Sequence, residues 1–212
     1  MKTQILTTDD PAALTTALEV LRSDEVVAFP TDTVYGVGAY AFHSEAVQRL
    51  YVAKDRSEEK AIPLLIAKAD DLSLVASEVS DIVRWLAARF WPGGLTLVVP
   101  RHPRVLTAVS PGPTVAVRMP AHPFVLDLIA ALGAPLAATS ANISGQPSPT
   151  TAAEVVAQLG GRIPLILDGG PCPGGIPSTV VDVTVDPPVV LRHGAISADI
   201  ILDALRDLKR GE

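Results

Sequence analysis

From residue 13 to residue 208 the chain alternates helix-period segments with short apolar runs, and this alternation most limits the folds open to it. Ala13, Leu14, Ala17, Leu18 and Leu21 recur at helical spacing behind Asp9, Asp10 and Pro11, which read as an N-cap with proline at the first helical position. A buried strand is expected at 26–29, ending at Pro30. Ser44 reads as the cap of a helix to about residue 53, with Val47, Leu50 and Tyr51 on one face. A strand at 62–66 precedes a helix opened by Ser80, in which Val83, Leu86, Ala87 and Phe90 recur at helical period. Further strands are expected at 95–99, 115–117, 135–139, 165–167, 180–183 and 189–191. A helix at 124–132 ends at Gly133, a capping box of Thr151 and Glu154 opens another, and an amphipathic helix runs from 197 to about 208. Several successive strands have no helix between them, so a mixed sheet is expected in a single α/β domain. That domain is read as spanning 1–212 with its core at about 8–208, undivided by any repeat or low-complexity linker and without a second C-terminal domain.

The chain's 212 residues, 48 % of them hydrophobic and 19 % charged, suit such a domain. At this length about 70 % of the unfolded surface is buried, so no covalent staple is required. Aromatic residues are only 4 %, which leaves the core to Val, Leu, Ile and Ala. A lone cysteine, Cys172, excludes a disulfide framework and any multi-cysteine metal centre. The opening MKTQILTTDDP has no apolar stretch and no run of 18 apolar residues occurs, so neither a signal peptide nor a membrane span is expected. The cytoplasm is the expected compartment. The net charge of −6 argues against a protein that coats nucleic acid, but the average conceals an asymmetry. No Asp or Glu occurs from 82 to 126, where Arg84, Arg89, Arg101, Arg104 and Arg118 fall. Such a stretch can build a positive surface for a nucleotide or an RNA backbone.

Four segments carry candidate chemistry. PTDTVYGVG at 30–38 places Thr31 and Thr33 on one side of an extended segment, and Gly36 and Gly38 permit close approach to backbone. KDRSEEK at 54–60 supplies Lys54, Arg56 and Lys60, cations suited to phosphate or simply to a helix C-terminus. TVAVR at 114–118 turns Thr114, Ala116 and Arg118 to one face of a strand. A buried arginine needs an anionic partner, and none is near in sequence, so the partner is either a distant acid or a ligand carboxylate. TSANISGQPS at 139–148 is a strand end followed by a loop dense in hydroxyls and amides. The loop at 169–179 is rich in glycine but lacks the Gly-Lys-Ser/Thr ending of a P-loop. Histidine spacing gives no zinc-hydrolase pattern, and no Gly-x-Ser-x-Gly elbow is present.

Taken in order, these segments resemble the YrdC-like family of L-threonylcarbamoyl-AMP synthases. The matching motifs are PTDTVYG at 30–36, KDRxxxKxxPL at 54–64, TVAVRMP at 114–120, TSANISGxPSPT at 139–150, STVVD at 178–182 and Arg192 at a strand end. The resemblance implies a single α/β domain whose twisted mixed sheet is flanked by helices around a positively charged concave cavity. It also implies a reaction in which L-threonine, bicarbonate and ATP give threonylcarbamoyl-AMP and pyrophosphate. A partner tRNA threonylcarbamoyltransferase would then carry the group to an adenosine of tRNA, yielding threonylcarbamoyladenosine.

By the same resemblance, Thr33, Arg118, Ala138 and Ser178 match positions that hold L-threonine. Arg56, Lys60, Thr114, Ser140, Asn142, Ser148 and Arg192 match positions on the ATP side. Lys54 and Arg56 are the expected catalytic cations, neutralising phosphate as pyrophosphate departs. ATP chemistry implies Mg²⁺ carried on the phosphates, with no protein ligand identified. Longer members carry Asn in place of Lys60 and His in place of Ala67. Two other readings stand beside this one: an RNA-binding module of the same fold, and a carbamoyl-adenylate step serving another acceptor.

Overall fold

Side-chain alternation along the strands buries both faces of one sheet, and the helices follow from that demand. The structure, a computed structural model, describes residues 1–210; the last two residues of the expected domain lie outside the described residues. The first half of the chain forms β1 (Gln4–Thr7), α1 (Ala13–Arg22), β2 (Val27–Phe29), β3 (Gly36–Tyr40), α2 (Ser44–Ala53) and β4 (Leu64–Leu65). A 3-10 segment (Ala69–Leu74), α3 (Asp81–Phe90), β5 (Leu95–Pro100) and β6 (Thr114–Arg118) come next. The remainder is α4 (Pro123–Leu132), β7 (Leu136–Ser140), α5 (Ala152–Leu159), β8 (Leu165–Asp168), β9 (Thr179–Asp182), β10 (Val189–Arg192) and α6 (Ala198–Arg210).

All ten strands join one mixed sheet in the order β1-β8-β2-β3-β7-β4-β6-β5-β9-β10. Val27, Phe29, Leu65, Leu136, Leu165 and Leu167 pack with α1 and α4 on one face. Their neighbours Ala28, Leu64, Ala137 and Ile166 join the opposite cluster, with α2, α3, α5 and α6. Leu95, Leu97, Val115 and Val117 also belong to that second cluster. Thr96 and Arg118, out of phase with them, therefore turn to the α1/α4 face, where they line a cavity. Among the described residues no helix is long and apolar enough to cross a membrane.

Local signals succeed where capping chemistry decides. Ser80 accepts from the Val83 N–H at 3.5 Å, Thr151 and Glu154 form the reciprocal box, and Gly133 takes the left-handed conformation at φ 73°. At α1 the helix starts two residues later than Pro11, because the Asp10 carboxylate accepts from the Ala12 N–H at 2.8 Å in a turn of its own. Ser44 is the first helical residue rather than the cap; His43 holds that position without a side-chain bond. The expected strand at 62–66 contracts to the two residues of β4.

Two strands escape the sequence pattern. β1 pairs in parallel with β8 at the sheet edge, and an exposed edge requires no apolar alternation. β3 occupies the glycine segment that read as a ligand approach, pairing with β2 on one side and β7 on the other. Its glycines serve packing: a Cβ at Gly36 would lie 2.8 Å from Phe29 Cε2, and one at Gly38 would lie 3.1 Å from Phe29 Cε1. The Phe29 ring thus lies across the bare backbone of β3. Gly36→Ala is expected to cost about 1–3 kcal/mol by overpacking. Denaturant unfolding should record that loss, and Phe29→Leu in the same background should recover part of it.

Candidate active site

The buried guanidinium of Arg118 organises one end of the cavity. β6 directs it onto the Gly93 carbonyl through Nε at 2.9 Å, onto Thr33 Oγ1 through Nη1 at 2.9 Å, and onto Asp32 Oδ1 through Nη2 at 2.6 Å. The anionic partner left open by the sequence is therefore an acid distant in the chain. Asp32 Oδ1 also accepts from the Ala121 N–H at 2.9 Å, just before α4. Thr33 is fixed in turn by Thr31, whose Oγ1 lies 3.0 Å from Thr33 Oγ1 and donates to the Val34 carbonyl at 2.7 Å. Burial lowers the Arg118 pKa, Asp32 opposes that, and Arg192 adds to the lowering, so the two guanidinium groups lie within electrostatic reach.

Arg192, at the end of β10, closes a second side. Its Nε and Nη2 donate to the Ser178 carbonyl at 3.0 and 2.8 Å, and Nη2 reaches Ser178 Oγ at 3.0 Å. Ser178 Oγ sits 2.7 Å from Thr96 Oγ1 on β5. A Cβ at Gly194 would fall 2.2 Å from the Pro177 carbonyl oxygen, so only glycine lets the segment after β10 pass this close.

Arg56 and the loop after β7 supply the third side. Arg56 Nη2 donates to the Ala61 carbonyl at 2.9 Å, while its buried Nε has no partner within the protein. Such an orphaned donor beside a cavity is suited to an anion. Lys54 behaves differently. It is only 1 % exposed, and its ammonium donates to the carbonyls of Ser140 and Asn142 while its own carbonyl accepts from the Ser144 N–H at 2.9 Å. Asn142 extends this clasp, its Nδ2 donating to the Ile143 and Gln146 carbonyls at 2.8 Å each and its Oδ1 accepting from Ser140 Oγ.

The cavity enclosed by these three sides has a volume of about 300 Å³. Thr33, Arg56, Arg118, Ala138, Ser140, Ser148, Ser178 and Arg192 all line it, drawn from six separate stretches of chain. Four other expected site residues do not reach its wall. Lys54 and Asn142 are buried behind it, Thr114 heads β6 with its carbonyl accepting from Ser110 Oγ, and Lys60 stands exposed on the loop before β4. Thr31, read from the sequence as sharing one side with Thr33, lines the cavity too; Tyr35, Thr96 and Thr139 line it without having been singled out as site residues, and Asp32 stands just behind. Thr96 had a readable signal, as a hydroxyl in phase with Val98 on an otherwise apolar strand. Asp32 had none beyond its place in PTDTVYG, because its partner lies 86 residues away.

The acid-free stretch does not form one positive face. Arg101 caps the Gly112 and Val105 carbonyls, Arg89 faces Asp207 at 3.7 Å, and Arg104 stacks over Phe42 at 4.5 Å. Of its arginines, Arg118 is the one that enters the cavity wall, joined there by Arg56 and Arg192. Among the described residues no group of three or more His, Cys, Asp or Glu is placed to hold a metal ion. Burial raises the Cys172 thiol above its usual range, which keeps it protonated and unsuited to nucleophilic attack.

These features define an α/β protein with an arginine- and hydroxyl-lined ligand cavity fed by loops at strand ends. A family model, Sua5_yciO_yrdC, described as telomere recombination, matches residues 19–194. The chain is 46 % identical over 201 residues to a threonylcarbamoyl-AMP synthase of Bacillus subtilis, an alignment covering 94 % of this chain and 58 % of that protein. It is 38 % identical to a putative threonylcarbamoyl-AMP synthase of Mycobacterium tuberculosis, covering 91 % of this chain and 88 % of that one. The crystal structure of P. abyssi Sua5 complexed with L-threonine superposes with a TM-score of 0.88 at 44 % identity, over 91 % of this chain and 57 % of that one. The chain belongs to the Sua5/YciO/YrdC family. It spans little more than half the length of the Bacillus and P. abyssi relatives.

Lys54 yields a pH signature. Burial first, and Arg56 second, pull its pKa down to about 7. In the unfolded chain a lysine holds its proton to about pH 10.4. Between those values the unfolded state binds more protons, so this group makes stability rise with pH across the window and contributes no slope below it. Lys54→Met should lack that rise, so the stability difference between wild type and variant, measured by urea unfolding, should favour wild type more at pH 9 than at pH 7. An equal difference at both would show an ordinary lysine.

Proposed function

We propose that this chain makes threonylcarbamoyl-AMP from L-threonine, bicarbonate and ATP. The observation that carries the reading is the convergence of Arg56, Arg118 and Arg192 on one hydroxyl-lined cavity whose wall contains no carboxylate among the described residues. One buried guanidinium, Arg118, with Arg56 half-buried and Arg192 more exposed, against one acid, Asp32, leaves positive charge for an anionic ligand to offset. The family relationship and the threonine complex of the P. abyssi relative support the choice of substrate.

In this reading the threonine amine and bicarbonate form an N–C bond with loss of water, giving a carbamate. A carbamate oxygen attacks the α-phosphorus of ATP, the bond to the β-bridging oxygen breaks, and pyrophosphate leaves with that electron pair. Arg118 with Thr33 and Ser178 holds the amino acid, and the Ala138 backbone borders it. Arg56, Ser140, Ser148 and Arg192 face the nucleotide and stabilise charge on its phosphates as the leaving group separates. Lys60 and Asn142 act from the surrounding loops and Thr114 from the head of β6, and Lys54 adds its charge from behind the Ser140 wall. No covalent enzyme intermediate is required. Mg²⁺ would arrive on the ATP phosphates. The adenylate would pass to a tRNA threonylcarbamoyltransferase in the cytoplasm.

Incubation with ATP, labelled bicarbonate and each amino acid in turn tests the reading. An adenylate formed with threonine alone is expected, and Arg56→Ala should slow threonine- and bicarbonate-dependent ATP–pyrophosphate exchange by about 100-fold or more. No adenylate with threonine, together with tight salt-sensitive RNA binding, would instead identify an RNA-binding module.

A further inference from the structure

Among the described residues, Asp32 is the one carboxylate in ion-pair contact with any of the three cavity arginines. It does not itself line the cavity. Its consequence lies in how it divides the donors of Arg118. A guanidinium offers five N–H groups and grips a carboxylate either side-on, through Nε and one terminal nitrogen, or end-on, through both terminal nitrogens. The Gly93 carbonyl takes the Nε donor, which closes the side-on grip. Thr33 takes one N–H of Nη1 and Asp32 takes one of Nη2, so each terminal nitrogen keeps a single N–H. Five donors less these three leave two, one on each terminal nitrogen.

Asp32 can enforce this because it is itself fixed: the same Oδ1 accepts from the Ala121 N–H, and the side chain is 17 % exposed. We infer that Asp32 is a positioning residue that sets the rotation of Arg118 so that a substrate carboxylate meets the N–H groups left on its terminal nitrogens rather than Nε. The inference rests on the reading that Arg118 receives the amino-acid carboxylate. It assigns Asp32 no proton transfer. Its acceptor geometry matters, and its charge opposes an incoming carboxylate while offsetting the burial of Arg118. Asparagine, which retains an Oδ1 acceptor, should therefore serve nearly as well as aspartate.

Three variants separate the possibilities. Asp32→Ala is expected to raise the threonine KM about tenfold or more, with the ATP KM and kcat changed by less than about threefold. Asp32→Asn should return the threonine KM to within about threefold of wild type. If Asp32→Ala does not fold, Asp32→Glu takes its place, since one added methylene cannot keep both the Arg118 and the Ala121 contacts. A second readout needs no turnover: the Arg118 Nε–H NMR signal should be sharp in wild type and Asp32→Asn and shifted or broadened in Asp32→Ala or Asp32→Glu. An unchanged threonine KM together with an unchanged Arg118 signal overturns the inference. So does a kcat lost equally in Asp32→Asn and Asp32→Ala, which would mark Asp32 as a base. Wild-type protein that makes no adenylate with threonine overturns the functional reading instead, and the NMR comparison still decides whether Asp32 holds Arg118.

Discussion

One buried cation governs the assembly of the cavity. A guanidinium withdrawn from water needs its donors satisfied and its charge offset, and Arg118 meets both needs only through groups brought from elsewhere in the chain. Gly93 comes from the turn before β5, and Asp32 and Thr33 come from the segment between β2 and β3. Those segments adjoin different strands of the sheet, so the ion pair and its hydrogen bonds tie the sheet's two halves where the cavity opens. The same contacts that make Arg118 tolerable in the interior also orient it.

The sheet makes such a meeting place available. Its helices cover the α1/α4 face over β2, β7 and β8, while β5 and β6 turn Thr96 and Arg118 toward that face without apolar cover. Antiparallel pairing of β3 with both β2 and β7 places the 30–36 motif next to the 139–148 loop. Gly36 and Gly38 allow that pairing by leaving room for the Phe29 ring. Packing and site construction are thus served by one segment, with its threonines facing the cavity and its glycines accommodating the core.

Charge follows position rather than composition. Of the arginines between 82 and 126, Arg101 goes to carbonyl caps, Arg89 to an ion pair and Arg104 to an aromatic face, and only Arg118 joins the cavity. Arg56 and Arg192, from outside that stretch, complete the cationic lining. Lys54, which belongs to the same motif as Arg56, holds two carbonyls of the β7 loop and turns that loop's hydroxyls to the cavity side. Neighbouring residues of one motif therefore act differently, one on the ligand space and one on the wall that bounds it.

Helix positions, most strand positions and the caps at Ser80, Gly133 and Thr151 were legible in the chain because capping and periodicity are local interactions. The motifs likewise marked eight residues that do line the cavity. The edge strand β1 was not legible, since an exposed edge has no apolar pattern to show, and β3 was hidden because its glycines suit a loop as well as a strand. The partner of Arg118 was not legible either: Asp32 is 86 residues away, and no periodicity or spacing links them. The sequence alone determined an α/β chain with its polar, cation-bearing motifs at strand ends. Tertiary structure decided which cations face the cavity, which support its wall and which acid orients Arg118, because burial and through-space pairing depend on the order of strands in the sheet.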